Sequence, residues 1–316
     1  MAAQVPQIGT IDFYGLRRVS AERLRKALGV KEGDRLPKSK GDLEEALENV
    51  NGVVRAYVEA QCCEAGKAIL YVGIEEKNSP HLDLREAPTE DLALPEEITS
   101  AYAAYLDAFG RAGNKSEDFR AGHIIAEDPV TSTLQDRFVG LAELNLPLLR
   151  SVLRNSEDAE QRATAACVIG YARAKKLVVE DLQYAMRDPD PNVRLNAMRS
   201  LTAIAILGVE DPQQEIKVSP TWFVQALGSL EWKARSQAAV SLEALTDGRD
   251  ENLLRQIREQ ALPALLEMAS WKSLTHALPA YMVLGRVAGF EEKKILELWA
   301  LGQRSQVLER ARQLYK

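Results

Sequence analysis

The chain has 316 residues, 46% hydrophobic and 27% charged, a composition that excludes a disordered protein and leaves room for about two domains. The net charge is −6 and it is localised: residues 80–128 hold four Lys/Arg against eleven Asp/Glu, while residues 1–79 balance at twelve of each. No basic stripe stands out, so nucleic acid is not an expected partner, and no apolar run reaches the ~18 residues that a membrane span needs.

The chain opens Met1-Ala2-Ala3-Gln4-Val5-Pro6, small residues without a charged and apolar run. Mature secreted proteins begin this way once a leader is removed, and so do many cytoplasmic ones. Residues 8–14 (IGTIDFY) alternate as a strand does, and Gly15 ends them. Ser20 is a good N-cap for a helix from Ala21 to Leu28, with Leu24, Ala27 and Leu28 on one face and Gly29 as its stop. A second helix begins near Ser39, where Leu43, Ala46, Leu47 and Val50 recur at three and four residues. Asn51-Gly52 closes it. Two strands follow, Val53 to Gln61 and Ala68 to Glu75, joined by the turn Glu64-Ala65-Gly66-Lys67.

This order of strand, helix, helix, strand, strand resembles a POTRA domain. The resemblance rests on Phe13-Tyr14-Gly15, Val19-Ser20, Leu28-Gly29-Val30 with Gly33-Asp34, Asn51-Gly52-Val53-Val54 and Gly73-Ile74-Glu75-Glu76-Lys77, and it covers residues 8–77. Where the family has Asn after the turn glycine, Gly15 is followed here by Leu16-Arg17-Arg18. POTRA domains are periplasmic or intermembrane modules that bind polypeptides, commonly by strand addition. The resemblance therefore implies an exported protein and an open sheet edge offering unpaired N–H and C=O groups.

Residues 78–93, with Asn78, Pro80, His81 and Pro88, lack any period and read as a linker. Pro95 opens a helix to about Phe109 with Ile98, Tyr102, Tyr105 and Leu106 on a face; Gly110 to Asn114 interrupts it. From Leu146 onward the sequence repeats. Blocks begin at Leu146, Val179, Pro220 and Leu262, and a shortened fifth runs from Lys293 to Gln313. Each reads as a helix, a tight turn and a longer helix. Arg162, Arg194 and Arg235 correspond, as do Trp232 and Trp271, each followed by Lys; the fourth block has Leu274 at the arginine position. The second block, Asp188-Pro189-Asp190-Pro191-Asn192-Val193-Arg194-Leu195-Asn196-Ala197, resembles a HEAT repeat. Asp190 is placed to cap a helix and Pro191 to occupy its first turn. Val193 and Ala197 lie on the packing face, and Arg194 is placed to reach acids or carbonyls of a neighbouring repeat. Helix pairs of this period stack because one pair alone cannot bury its apolar face.

No catalytic or nucleotide-binding motif is present. His123 and His276 read as packed side chains, and Glu96-Glu97 and Glu291-Glu292 as solvated acids in helix first turns. Cys62, Cys63 and Cys167 lack metal spacing, and adjacent cysteines on a strand point to opposite faces, so no usual disulfide is expected. The fold expected is thus an α+β domain (β-α-α-β-β, POTRA-like) followed by an all-α, right-handed HEAT-like superhelix of four to five helix pairs. Its parts are a domain at 1–79, an acidic linker at 80–94, a helical connecting segment at 95–145 and repeats at 146–316. Beyond residue 77 only helices are expected.

The function expected is a non-enzymatic protein–protein scaffold in the periplasm of a bacterium, with no catalytic, metal-binding or cofactor-binding residues. A cytoplasmic scaffold is the alternative location. Its partner is a protein or an extended peptide, met at the sheet edge or on an inner face where the second helices carry Arg162, Arg173, Arg199, Glu243 and Arg286. HEAT-like repeats also resemble those of phycobilin lyases, so an enzyme attaching a tetrapyrrole is the alternative, and a permanent structural subunit of an envelope complex is another.

Overall fold

A computed structural model describes residues 5–79, 82–113 and 116–314. The Met1 to Gln4 opening, Pro80, His81 and Asn114 lie outside the described residues. The chain falls into two compact units, one formed by residues 1–82 together with 224–316, the other by residues 83–223.

In the first unit, β1 (Ile8–Tyr14), α1 (Ala21–Leu28), α2 (Gly41–Glu48), β2 (Val53–Glu64) and β3 (Lys67–Glu76) follow in the expected order. The sheet order is β1-β3-β2, with β1 parallel and β2 antiparallel to the central β3. Ser20 caps α1, its side chain accepting from Arg23 N, and Gly29 ends it in the left-handed region. One face of β3 sends Leu70, Val72 and Ile74 into a core with Ile8, Ile11, Leu24, Leu28, Leu47 and Val58. Its other face carries Ile69 and Tyr71, which are buried as well. A strand covered on both sides explains the unbroken apolar run AILYVGI. The turn after β1 wraps the Glu76 carboxylate, which accepts from the N–H groups of Arg17, Arg18 and Val19 at 2.7–3.1 Å. Gly15, at φ +80°, leaves no room for a side chain: a Cβ there would sit 2.2 Å from the Ile74 carbonyl oxygen.

The second unit holds α3 (Glu96–Ala112), a two-residue ladder β4 (Glu117–Asp118) with β5 (Ile125–Ala126), α4 (Pro129–Asn155), α5 (Ala159–Val168), α6 (Lys175–Ala185) and α7 (Pro191–Glu210). The ladder corrects the expectation of helices alone after residue 77; pairs this short carry no legible period. Two helices merge in α4 across a kink at Asn145, two residues before Pro147, which removes a helical N–H donor. The first repeat was expected to start here, at Leu146. Asp190 caps α7 by accepting from Asn192 N and Val193 N, Pro191 fills its first turn, and Val193 and Ala197 are fully buried.

The short helix α8 (Thr221–Ala226) lies at the division between units. Beyond it come α9 (Trp232–Leu245), α10 (Glu251–Gln260), α11 (Leu262–Met268), α12 (Leu274–Val287), α13 (Glu292–Ala300) and α14 (Ser305–Gln313). A small sheet region followed by a helical, repeat-like region is therefore the architecture. No described helix is long and apolar enough to cross a membrane.

Candidate binding surfaces

The patterned arginines are structural. Arg162 is 2% exposed. Its Nη1 donates to the carbonyls of Ser156 and Glu157 in its own inter-helix turn, at 2.8 and 3.0 Å. Its Nε and Nη2 hold both oxygens of Asp188, in the next turn, at 2.9 Å. A planar guanidinium suits this bidentate contact. Arg194 repeats the inward half, donating to Asp188 O and Pro189 O of its own turn at 2.7 and 2.9 Å. Arg235 donates to Ser229 O and to Glu267, both at 3.1 Å. At the fourth turn Leu274 is exposed, and Arg304 from further along the chain fills the gap, donating to Ala269 O and Trp271 O.

Arg286 is also buried; it donates to Glu243 O and Thr246 and pairs with Glu292. Arg199 grips both oxygens of Glu117 on β4, at 2.6 and 2.8 Å. Of the five charged residues expected to be exposed on the second helices, Arg162, Arg199 and Arg286 are thus engaged inside their units, Glu243 is half-buried, and Arg173 is exposed. Glu292 likewise serves Arg286 and Arg249 instead of standing solvated.

The recurrence of Trp-Lys at 232–233 and 271–272 has a tertiary cause. Within the first unit both indoles close on Tyr71 of β3, Trp232 stacked at 4.9 Å and Trp271 tilted at 4.9 Å. Tyr71 shares a 2.7 Å hydrogen bond with His276 Nδ1. The lysine after each tryptophan pairs with the small sheet region, Lys233 with Glu59 and Lys272 with Glu32. Tyr14 donates to the Leu230 carbonyl at 2.7 Å and lies under the Arg235 guanidinium. Asp12 and Glu267 accept from Lys272 N and Gly15 N. Burial pushes the Asp12 and Glu59 carboxyls above their ordinary range, against the pull of Lys272 and Lys233. Backbones come close as well: a Cβ on Gly73 would sit 2.6 Å from Leu230 O. The sheet face opposite α1 and α2 is therefore occupied by the last helix pairs.

Both sheet edges are blocked over part of their length. On β2 the outward N–H groups of Ala56 and Val58 donate to Glu48 and Glu44 of α2, at 3.0 and 2.8 Å. On β1, Ile8 N donates to Asp34 O and Ile11 N to Glu32, while Gly33 N donates to Ile8 O. Side-chain carboxylates on edge N–H groups are a recognised guard against edge-to-edge pairing. This corrects the expected open edge over Ile8–Ile11 and Ala56–Val58.

The remaining candidates are accounted for locally. His123 packs against Tyr171 at 5.1 Å, and burial and Lys175 keep its imidazole below its usual range. Lys175 is buried, donates to Gly170 O at 2.7 Å, and is lowered by burial to about 8. The Cys167 thiol is buried and raised to about 12. Cys62 and Cys63 are joined in a disulfide. The register shifts between Gln61 and Glu64, so the strand alternation that would have turned them apart is broken there. No cluster of three or more metal-ligating side chains occurs among the described residues.

A family model described as HEAT repeats matches residues 146–215. HEAT repeats commonly mediate protein–protein interaction and are in general non-catalytic scaffolding. A search of the curated proteins returns no match.

Proposed function

We propose that the chain is a non-enzymatic scaffold that holds a protein or an extended peptide on its helix pairs, in the cell envelope of a bacterium. One observation carries this reading: the HEAT-repeat match falls on helix pairs whose signature arginine and capping residues are committed to holding the repeat itself. Repeat surfaces built this way recognise polypeptides through what their helices present. In this reading residues 1–79 are a POTRA-like domain, 80–94 a linker, 95–145 a connecting segment and 146–316 a right-handed superhelix of four to five pairs. The POTRA resemblance supports export to the periplasm. Because both sheet edges are guarded over part of their length, the partner is assigned to the second helices of the pairs in preference to strand addition.

The test uses the full chain in the cells that make it, with a photo-crosslinking residue at exposed Asn192 of α7 or Thr275 of α12, and at exposed Lys176 or Glu180 of α6 as controls. A discrete protein adduct from α7 and α12 alone, formed in the periplasmic fraction, is expected. Equal adducts from the control positions, or a visible absorption band on mixing with a bilin, overturn the reading.

A further inference from the structure

A disulfide that supports a fold closes a loop, and its stabilisation grows with the number of residues enclosed. The Cys62–Cys63 bond encloses none. It lies at the end of β2, past the last regular pairing of Gln61 with Ile69 and before Glu64 meets Lys67. Both cysteines are exposed, and neither belongs to the core of the small domain. Cys167 is the opposite case, a buried thiol that burial holds in its protonated form. A bond that cross-links nothing and stands in solvent is open to an incoming thiolate, and exposed disulfides of this kind are the labile ones.

We propose that Cys62–Cys63 is a thiol–disulfide exchange site whose substrate is a dithiol reductant. A donor thiolate attacks one Sγ; the S–S bond breaks, and its electron pair leaves on the other Sγ, which takes up a proton. The donor's second thiolate then attacks the mixed disulfide and leaves joined to its first sulfur, and the released cysteine is protonated. The chain gains two electrons and two protons, and the dithiol becomes a disulfide.

Trypsin releases residues 56–67 as one peptide holding both cysteines and no other. The native full chain is alkylated with iodoacetamide before and after dithiothreitol, without denaturant, and a parallel sample receives reduced thioredoxin. No adduct before reductant and two adducts after it are expected, with Cys167 unmodified throughout. Faster reduction by thioredoxin at equal dithiol concentration assigns a protein donor, and faster reduction by dithiothreitol a small one. The double variant Cys62→Ser/Cys63→Ser should keep the parent's unfolding midpoint and lose the exchange. Adducts formed without reductant, reduction only after unfolding, or a large fall in the variant's midpoint each overturn the assignment.

Discussion

Trp271→Ala tests the union of the small sheet with the last helix pairs. Trp271 is 2% exposed, with ring centroids 4.9 Å from Tyr71 and 6.0 Å from Tyr14. Its walls are a central strand and a helix start, which have little freedom to collapse, so truncation should cost about 3–5 kcal/mol. Each aromatic pair accounts for about 0.5–1.5 kcal/mol of that. The indole N–H has no acceptor among the described residues, so no hydrogen bond from it is lost, and the Trp271 carbonyl keeps Arg304. The loss should be shared by both sides of the contact. Native-state hydrogen exchange read by mass spectrometry should show β3 and α12 losing protection by the same free energy. A cycle with Tyr71→Ala should give a coupling of about 0.5–1.5 kcal/mol. Deprotection confined to α12, or a total loss below about 1 kcal/mol, would mean that the indole does not join the strand to the helices, because a buried indole that does so is not that dispensable.

Three further outcomes are expected. Ala197→Arg places a cation at a fully buried position of α7 and should destabilise the second unit by on the order of 3–5 kcal/mol in urea melts; a melt matching the parent means the repeat register is wrong. Lys175 sits near 8 when folded against an ordinary 10.5, so the folded chain binds fewer protons between those values and stability rises with pH across that window. Lys175→Met should flatten the rise and add on the order of 1–3 kcal/mol at neutral pH, and a parent profile that is already flat from pH 8 to 10.5 contradicts the burial argument. Glu44→Ala with Glu48→Ala uncovers the Ala56 and Val58 N–H groups, and sedimentation should then show more self-association than the parent's; an unchanged monomer–oligomer balance means those carboxylates do not guard the edge.

Local chemistry was legible in the sequence where it is self-contained. The alternation of residues 8–14 and the Ser20 and Gly29 stops give β1 and α1 to the residue, because capping and period act within a few positions. Asp190 and Pro191 mark the start of α7 for the same reason. The Trp-Lys recurrence was visible as a register marker, but its cause is Tyr71, at least 161 residues earlier, and no local rule couples them. The Arg304 substitution for the missing fourth arginine is hidden likewise, since it comes from another turn. The helix α10 fell between blocks, where no repeat position predicted it. The expected exposure of Arg162 and Arg286 fails because helical spacing shows that they share a face with small residues, not that turn carbonyls and acids wait there to take them.

If, as proposed, the second helices of the pairs hold a polypeptide, a photo-crosslinker at Asn192 of α7 in the living cell should capture it. Asn192 is exposed in the first turn of the helix that carries the strongest repeat motif. One saturable protein adduct is expected there and none at Lys176 of α6. Adducts of equal yield at both positions, or none at either, would contradict it.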